Sequence, residues 1–192
     1  MTVEVQDGVV GEHSLLPELA RAADPILPRI AELAVAARAA GVPVVHCTVD
    51  SRDDGQGANR NTRLFAAMAK RRSSAGAGGV RHATVHRAVG AMESDLFMSR
   101  LHGLSPMTST SLDPVLRNLG VTTIVATGVS VNVAILGFAF EAVNLGYQFV
   151  LPRDAVAGVD EAFVNALFDG TLSLLATVTT CGDLLRTWEA SP

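Results

Sequence analysis

VTTIVATGVSVNVAILGFAFEAVNLGYQFVL, residues 121–151, is the stretch that decides the fold. Val121 to Thr127 is a β-branched apolar run, the composition of a strand buried inside a sheet. Gly128 ends it. A helix is then expected from about Val131 to Asn144, with Ala134, Leu136, Phe138, Phe140 and Ala142 apolar on nearly every side. So little polar face predicts wide burial, by the sheet and by a second subunit. Tyr147 to Leu151 resumes a strand. Strand, helix and strand in this order form a crossover that joins parallel strands.

Outward from this unit the alternation recurs. Residues 2–6 read as a first strand, cut short by Asp7-Gly8. Asp24 before Pro25 reads as an N-cap, and Ile30, Leu33, Ala34 and Ala37 share one helix face until Gly41. Val42–Val49 is expected as a buried strand with its proline at the entry. Leu96–Ser99 and Ala176–Thr180 are further strands, and Ser111–Asn118, Glu161–Phe168 and residues 182–189 further helices. The pattern predicts one domain over residues 1–192, a three-layer α/β/α sandwich with a mainly parallel, Rossmann-like sheet. Residues 50–92, with one short helix at 62–70, form a long Arg-, Gly-, Ser- and Asn-rich excursion. It is either a functional or interfacial loop or an idle surface insertion.

Composition narrows the function. Across 192 residues, 48% are hydrophobic and 18% charged, which excludes a disordered chain. A formal net charge of -4 offers no general attraction to nucleic acid or anionic membranes. The low charged fraction, with a Leu136, Phe138 and Phe140 cluster, predicts a homodimer or homotetramer. Two cysteines without CxxC spacing argue against disulfide dependence, and the lack of a leader or long apolar run predicts a cytoplasmic protein.

In parallel sheets ligands bind outside the carboxyl ends of the strands. The positions to inspect are therefore Glu4 to Asp7, Asp50, residues 99–107, residues 128–134 and Asp154. Glu4, an acid in an apolar strand, must be paired or protonated, and a raised pKa would suit it to general acid–base work. The alternative is a frayed edge with Glu4 in water. Arg100 and His102 could meet an anionic substrate, or Arg100 could pair with Glu4; a surface arginine is the other reading. Val129, Ser130 and Asn132 lie where a strand turns into a helix, so backbone N–H groups there could hold an oxyanion or carboxylate. Ser130 could instead be only the N-cap.

These residues together resemble the isochorismatase-like superfamily. The resemblance is carried by residues 4–11 (EVQDGVVG), 105–110 (SPMTST) with Leu112, 128–134 (GVSVNVA) with Ala142 and Gly146-Tyr147, and 152–158 (PRDAVAG). Amidase members of that superfamily carry an aspartate in the first-strand motif, a lysine after the third strand and a cysteine opening the helix after the Gly turn. Carried over residue by residue, these positions hold Glu4, Arg100 (to within one residue of register) and Ala134. The resemblance thus implies a member without the nucleophile, since alanine has none. The Asp-x-His metal motif of nicotinamidases meets Asp50-Ser51-Arg52, and His82 and His86 lack a third ligand in register, so no metal or other cofactor is expected.

Three functions follow. The first is an isochorismatase-like hydrolase of a small anionic molecule: Glu4 protonates the substrate, Arg100 and the turn at 128–132 hold its carboxylate, and water adds. The second is an inactive member serving as a binding or assembly subunit. The third, a cysteine amidase with a relocated thiol, requires Cys47 or Cys181, which lie on other elements.

Overall fold

The structure is a computed structural model that describes residues 1–12, 14–75, 83–108 and 110–189. Seven strand segments are present in it: β1 (Thr2–Val3), β2 (Val45–Val49), β3 (Leu96–Arg100), β4 (Thr123–Val125), β5 (Thr127–Gly128), β6 (Gln148–Pro152) and β7 (Thr177–Thr179). β4 and β5 are two halves of one run, broken at Ala126. The β5 half ladders on β1 in the order β3-β2-β1-β5, and the β4 half on β6 in the order β4-β6-β7. Bonds from Ala126 N to Val150 O (3.0 Å) and from Thr127 N to Met1 O (2.9 Å) carry the sheet across the break. Every ladder is parallel.

Parallel strands need crossovers, and here they cover both faces. On one face α5 (Leu112–Asn118) and α6 (Leu136–Asn144) bury Leu112, Leu116, Phe138 and Ala139 against Val3, Cys47 and Phe149. Phe138 meets Phe149 edge-on, with ring centroids 5.2 Å apart. On the other face α1 (Asp7–Val10), α2 (Pro17–Ala23) and α3 (Leu27–Ala39) enclose a core of Val5, Leu19, Ile30, Leu33 and Val129. The last helix, Cys181–Glu189, adds Cys181 to it. The expected three-layer α/β/α architecture is what the chain forms.

Three expectations need correction. Asp24 is no N-cap: α2 already starts at Pro17, and Asp24 has helical angles (φ -47°, ψ -48°) with its N–H on Ala20 O. Pro25 is accommodated mid-run because the chain tightens there into a 3₁₀ turn, Asp24–Ile26. Glu4 is not inside the first strand but just past its end, and β1 is a central strand, not a frayed edge. Phe138 and Phe140 do not form one cluster. Two residues apart on a helix they point to opposite sides, so Phe138 is fully buried while Phe140 is 46% exposed.

Candidate active site

Sequential crossovers from β1 and from the β4/β5 run leave for opposite flanks of the sheet, so a crevice opens between the carboxyl ends of β1 and β5. Glu4 stands on one lip and Gly128 to Ser130 on the other. Glu4 leaves the strand with φ +56°, a conformation that costs a non-glycine residue about 1–3 kcal/mol. Its N–H is held by Cys47 O at 2.8 Å. Beyond it the Gln6 side chain continues the pairing of β1 with β2, its Nε2 donating to Val49 O and its Oε1 accepting from Val49 N, both at 2.7 Å.

Arg100, the last residue of β3, is only 2% exposed, which excludes the surface reading. Its Nη2 donates to Glu4 Oε1 in a short ion pair and to Leu104 O at 3.3 Å. Its Nε and Nη1 are buried with no hydrogen-bond partner among the described residues. Orphaned donors of this kind are uncommon in folded proteins and mark places where a ligand or functional strain belongs. Burial pushes the Glu4 carboxyl above the ordinary carboxylate range, and the charge and hydrogen bond of Arg100 pull against that rise.

The turn opposite is built by close approach. Gly128 has φ +109°, and a Cβ there would stand 2.3 Å from Val3 O, so only glycine fits. The chain then enters a π-helical turn, Val131–Ile135, with Ser130 O accepting from Ile135 N at 3.1 Å. Ser130 sits at the cap position, but its side chain makes no cap hydrogen bond. Part of the expected amide cradle is already occupied: Val129 N donates to Val3 O (3.0 Å) and Val131 N to Ala157 O (2.9 Å). Val129 also buries its side chain in the core, so neither its side chain nor its N–H is available to a substrate. Ser130 and Asn132 are half-buried, with Asn132 Oδ1 beside Gly158. Ala134 lies in this first turn, 1% exposed, in the same core as Val3, Cys47 and Met107. His102 is exposed on the loop after Arg100 and has no part in the Glu4–Arg100 contact.

Both thiols are free and buried. Cys47 is nearer the site than its strand alone suggests, because its carbonyl holds Glu4 and its ionisation feels both Arg100 and Glu4. It is fully buried, and burial pushes its thiol up to about 12. Cys181 is buried on the other face of the sheet, its thiol likewise pushed up to about 12 by burial and by Asp154. Among the described residues no group of three or more His, Cys, Asp or Glu could hold a metal ion. His86 precedes a 3₁₀ turn and its Nδ1 accepts from Ala88 N at 3.3 Å, while His82 lies outside the described residues.

Two polar groups escaped the reading of the sequence. Glu141 accepts from Ser105 Oγ (2.5 Å) and Thr108 Oγ1 (2.9 Å), clamping to α6 the loop whose Leu104 carbonyl receives Arg100. Its signal was a lone acid in an otherwise apolar helix. At the amino-terminal edge of the sheet, Thr2 Oγ1 donates to His46 Nδ1 (2.8 Å) and His46 Nε2 donates to Asp95 (3.0 Å). Arg38 holds Asp95 with two further bonds, at 2.9 and 2.6 Å. A cavity of about 90 Å³, lined by apolar groups including Ile30, Leu33, Val44 and Trp188, is also at that edge, and neither Glu4 nor Arg100 lines it.

An acid–arginine pair stands at the switch point of a parallel sheet, facing a Gly turn that opens a helix, where open α/β folds bind their ligands. The chain belongs to the isochorismatase domain family, whose pattern matches residues 1–183. Among curated proteins none matches it. Among solved structures, an isochorismatase family protein from Burkholderia thailandensis is 24% identical with a TM-score of 0.81, over 98% of this chain and 94% of that one. A cysteine hydrolase from Pseudomonas syringae pv. phaseolicola is also 24% identical at TM-score 0.81, covering 98% and 91%. A pyrazinamidase/nicotinamidase from Streptococcus mutans is 21% identical at TM-score 0.71, covering 92% and 97%. At these identities the likeness is one of fold. No helix among the described residues is long and apolar enough to cross a membrane.

Proposed function

We propose that the protein is an isochorismatase-family hydrolase that acts on a small anionic molecule by acid catalysis, without a cysteine nucleophile. One observation carries this reading: a buried arginine with two unpartnered guanidinium nitrogens touches a carboxyl whose proton affinity is raised. Arginine binds anions through its planar fork of N–H donors and is a poor proton shuttle, so Arg100 takes the anchoring role. Glu4 gives its proton to the carbon of a vinyl ether, water adds to the resulting oxocarbenium ion, and the water's spare proton returns to the Glu4 carboxylate. The hemiketal then collapses to a carbonyl compound and an alcohol. Ser130 and Asn132 flank the crevice in which the substrate sits. Ala134 fixes the chemistry by offering a methyl group where a thiolate would attack. The reading places one such domain in the cytoplasm, working as a homodimer or homotetramer, and the half-exposed Phe140 on α6 supports the oligomer.

Replacement of all three amidase positions, by Glu4, Arg100 and Ala134, favours a second reading, an inactive binding or assembly subunit. Turnover decides between them. The purified protein is assayed with isochorismate, nicotinamide and N-carbamoylsarcosine, before and after iodoacetamide treatment. Activity on isochorismate that survives alkylation, and that falls about 10²–10⁴-fold in Glu4→Gln, is the expected outcome. Loss of activity on alkylation would return the chemistry to a thiol. No turnover of any of the three supports the inactive subunit.

A further inference from the structure

Residues 55–92 hold seven of the chain's 15 lysines and arginines and none of its 19 acids, so the rest of this net-acidic protein is more acidic still. The excursion is tied to the rim of the site at both ends. It leaves β2 at Asp50, whose N–H bonds Arg100 O at 2.8 Å. Asn59 Oδ1 then accepts from Gly103 N at 2.7 Å, three residues past Arg100. The helix α4 (Arg63–Ala75) follows, and Arg71 Nη1 reaches across to Leu15 O at 2.7 Å. The chain returns where Val85 pairs with Gln6 and His86 N bonds Val5 O at 3.0 Å, within two residues of Glu4.

Arg60, Arg63, Arg71 and Arg87 are all exposed on this path. Of the acids at its start, Asp54 is paired with Arg52 through two bonds, while Asp50, whose Oδ1 accepts only from Ser51 N, keeps its charge at the rim. Asp50, Asp53 and the half-buried Asp7 are thus opposing charges that the seven basic residues outnumber. A belt of one sign at the rim of a crevice concentrates ligands of the other sign and speeds their capture.

We infer that the basic belt on residues 60–71, with Arg87, is an electrostatic funnel that draws small anions, carboxylates above all, to the Glu4–Arg100 crevice. This deepens the proposed function by naming what selects its substrate class and rests on that site being the one in use.

A reporter thiol that needs no turnover tests it. Leu104→Cys places a cysteine at the rim, at the residue whose carbonyl receives Arg100, and Leu104 is already 40% exposed. The two native thiols are buried and pushed up to about 12, so they stay silent, as the parent protein will verify. Alkylation rates with iodoacetate and iodoacetamide are compared, each relative to the uncharged reference thiol N-acetylcysteine amide. Their ratio cancels the ionised fraction of the thiol and leaves the local preference for an anion.

The expected ratio is about threefold or more in favour of iodoacetate at 10 mM salt, falling toward one at 0.5 M, where screening is complete within a few ångströms. Exchanging Arg60→Gln and Arg63→Gln, exposed positions where folding is little affected, halves the low-salt ratio or lowers it further. A ratio near one at low salt, or one unchanged by the two exchanges, overturns the funnel. Isochorismate turnover with an unbiased ratio would refute the funnel alone, and a biased ratio without turnover would refute only the catalytic reading.

Discussion

Replacing Arg100 by methionine keeps a long apolar stem in the core but takes away the counter-ion of Glu4. Breaking a buried ion pair by removing one partner ordinarily costs about 3–5 kcal/mol. Two features lower that figure here. The Glu4 side chain is 16% exposed and can take up a proton, and the change also removes two buried nitrogens whose N–H groups already lack partners. A net loss of about 2 kcal/mol is expected at pH 8, or about 4–8 °C in Tm for a chain of this size. The pH dependence has a definite sign. Without Arg100 the folded-state pKa of Glu4, already raised by burial, rises further above its unfolded value. The folded chain then keeps a proton that the unfolded chain has released, so stability drains away as pH rises through the folded pKa. Urea midpoints of parent and variant at pH 5 and pH 8 should therefore differ little at the lower pH and clearly at the higher. The double variant Glu4→Gln/Arg100→Met should recover most of the loss. An equal deficit at both pH values, or a double variant as unstable as the single one, would show that Arg100 supports the fold by packing and not by charge.

Two more outcomes can be checked on the same purified protein. Burial lowers the pKa of His46 below its unfolded value, against the opposing pull of Asp95, while the Met1 amino group and Arg38 disfavour a second positive charge. The unfolded state therefore binds more protons below about pH 6.5, and stability should fall as the pH drops from 7.5 to 5; urea melts of His46→Gln should show a flatter profile than the parent over that range. Gly128→Ala would set a methyl group 2.3 Å from Val3 O at φ +109°, and should cost more than about 3 kcal/mol, read as a Tm loss or as failure to recover soluble protein.

Much of the frame was legible because β2 and β4 lie in short β-branched runs and α3 shows a buried stripe of Ile30, Leu33, Ala34 and Ala37. Pattern readings fail where a tertiary contact overrides the local signal. Asp24-Pro25 has the chemistry of a helix start, but Pro17 had already started the helix. Leu136, Phe138 and Phe140 are equally apolar, and only the helix's docking on β6 decides that Phe138 goes inward and Phe140 outward. The site was half visible. Glu4 and Arg100 stand out as charges at strand ends, but that they touch depends on β1 and β3 flanking β2, which no local pattern states. Conversely, the amides at 128–132 looked available from their place before a helix, and two of them are consumed by Val3 and Ala157, residues distant in sequence. Glu141 and the Thr2–His46–Asp95 chain went unread because a polar residue in an apolar run carries no mark of its partner.

The two-residue strand β1 also governs when the sheet can close. Thr2 ladders on His46 to one side and on Thr127 to the other, so the middle of the molecule joins segments made at very different moments of synthesis. During translation the first of these contacts becomes available early and the second only after Gly128 has left the ribosome. Until then the crevice can have only one of its lips, since the other is supplied by the segment that pairs with Thr2 and Val3.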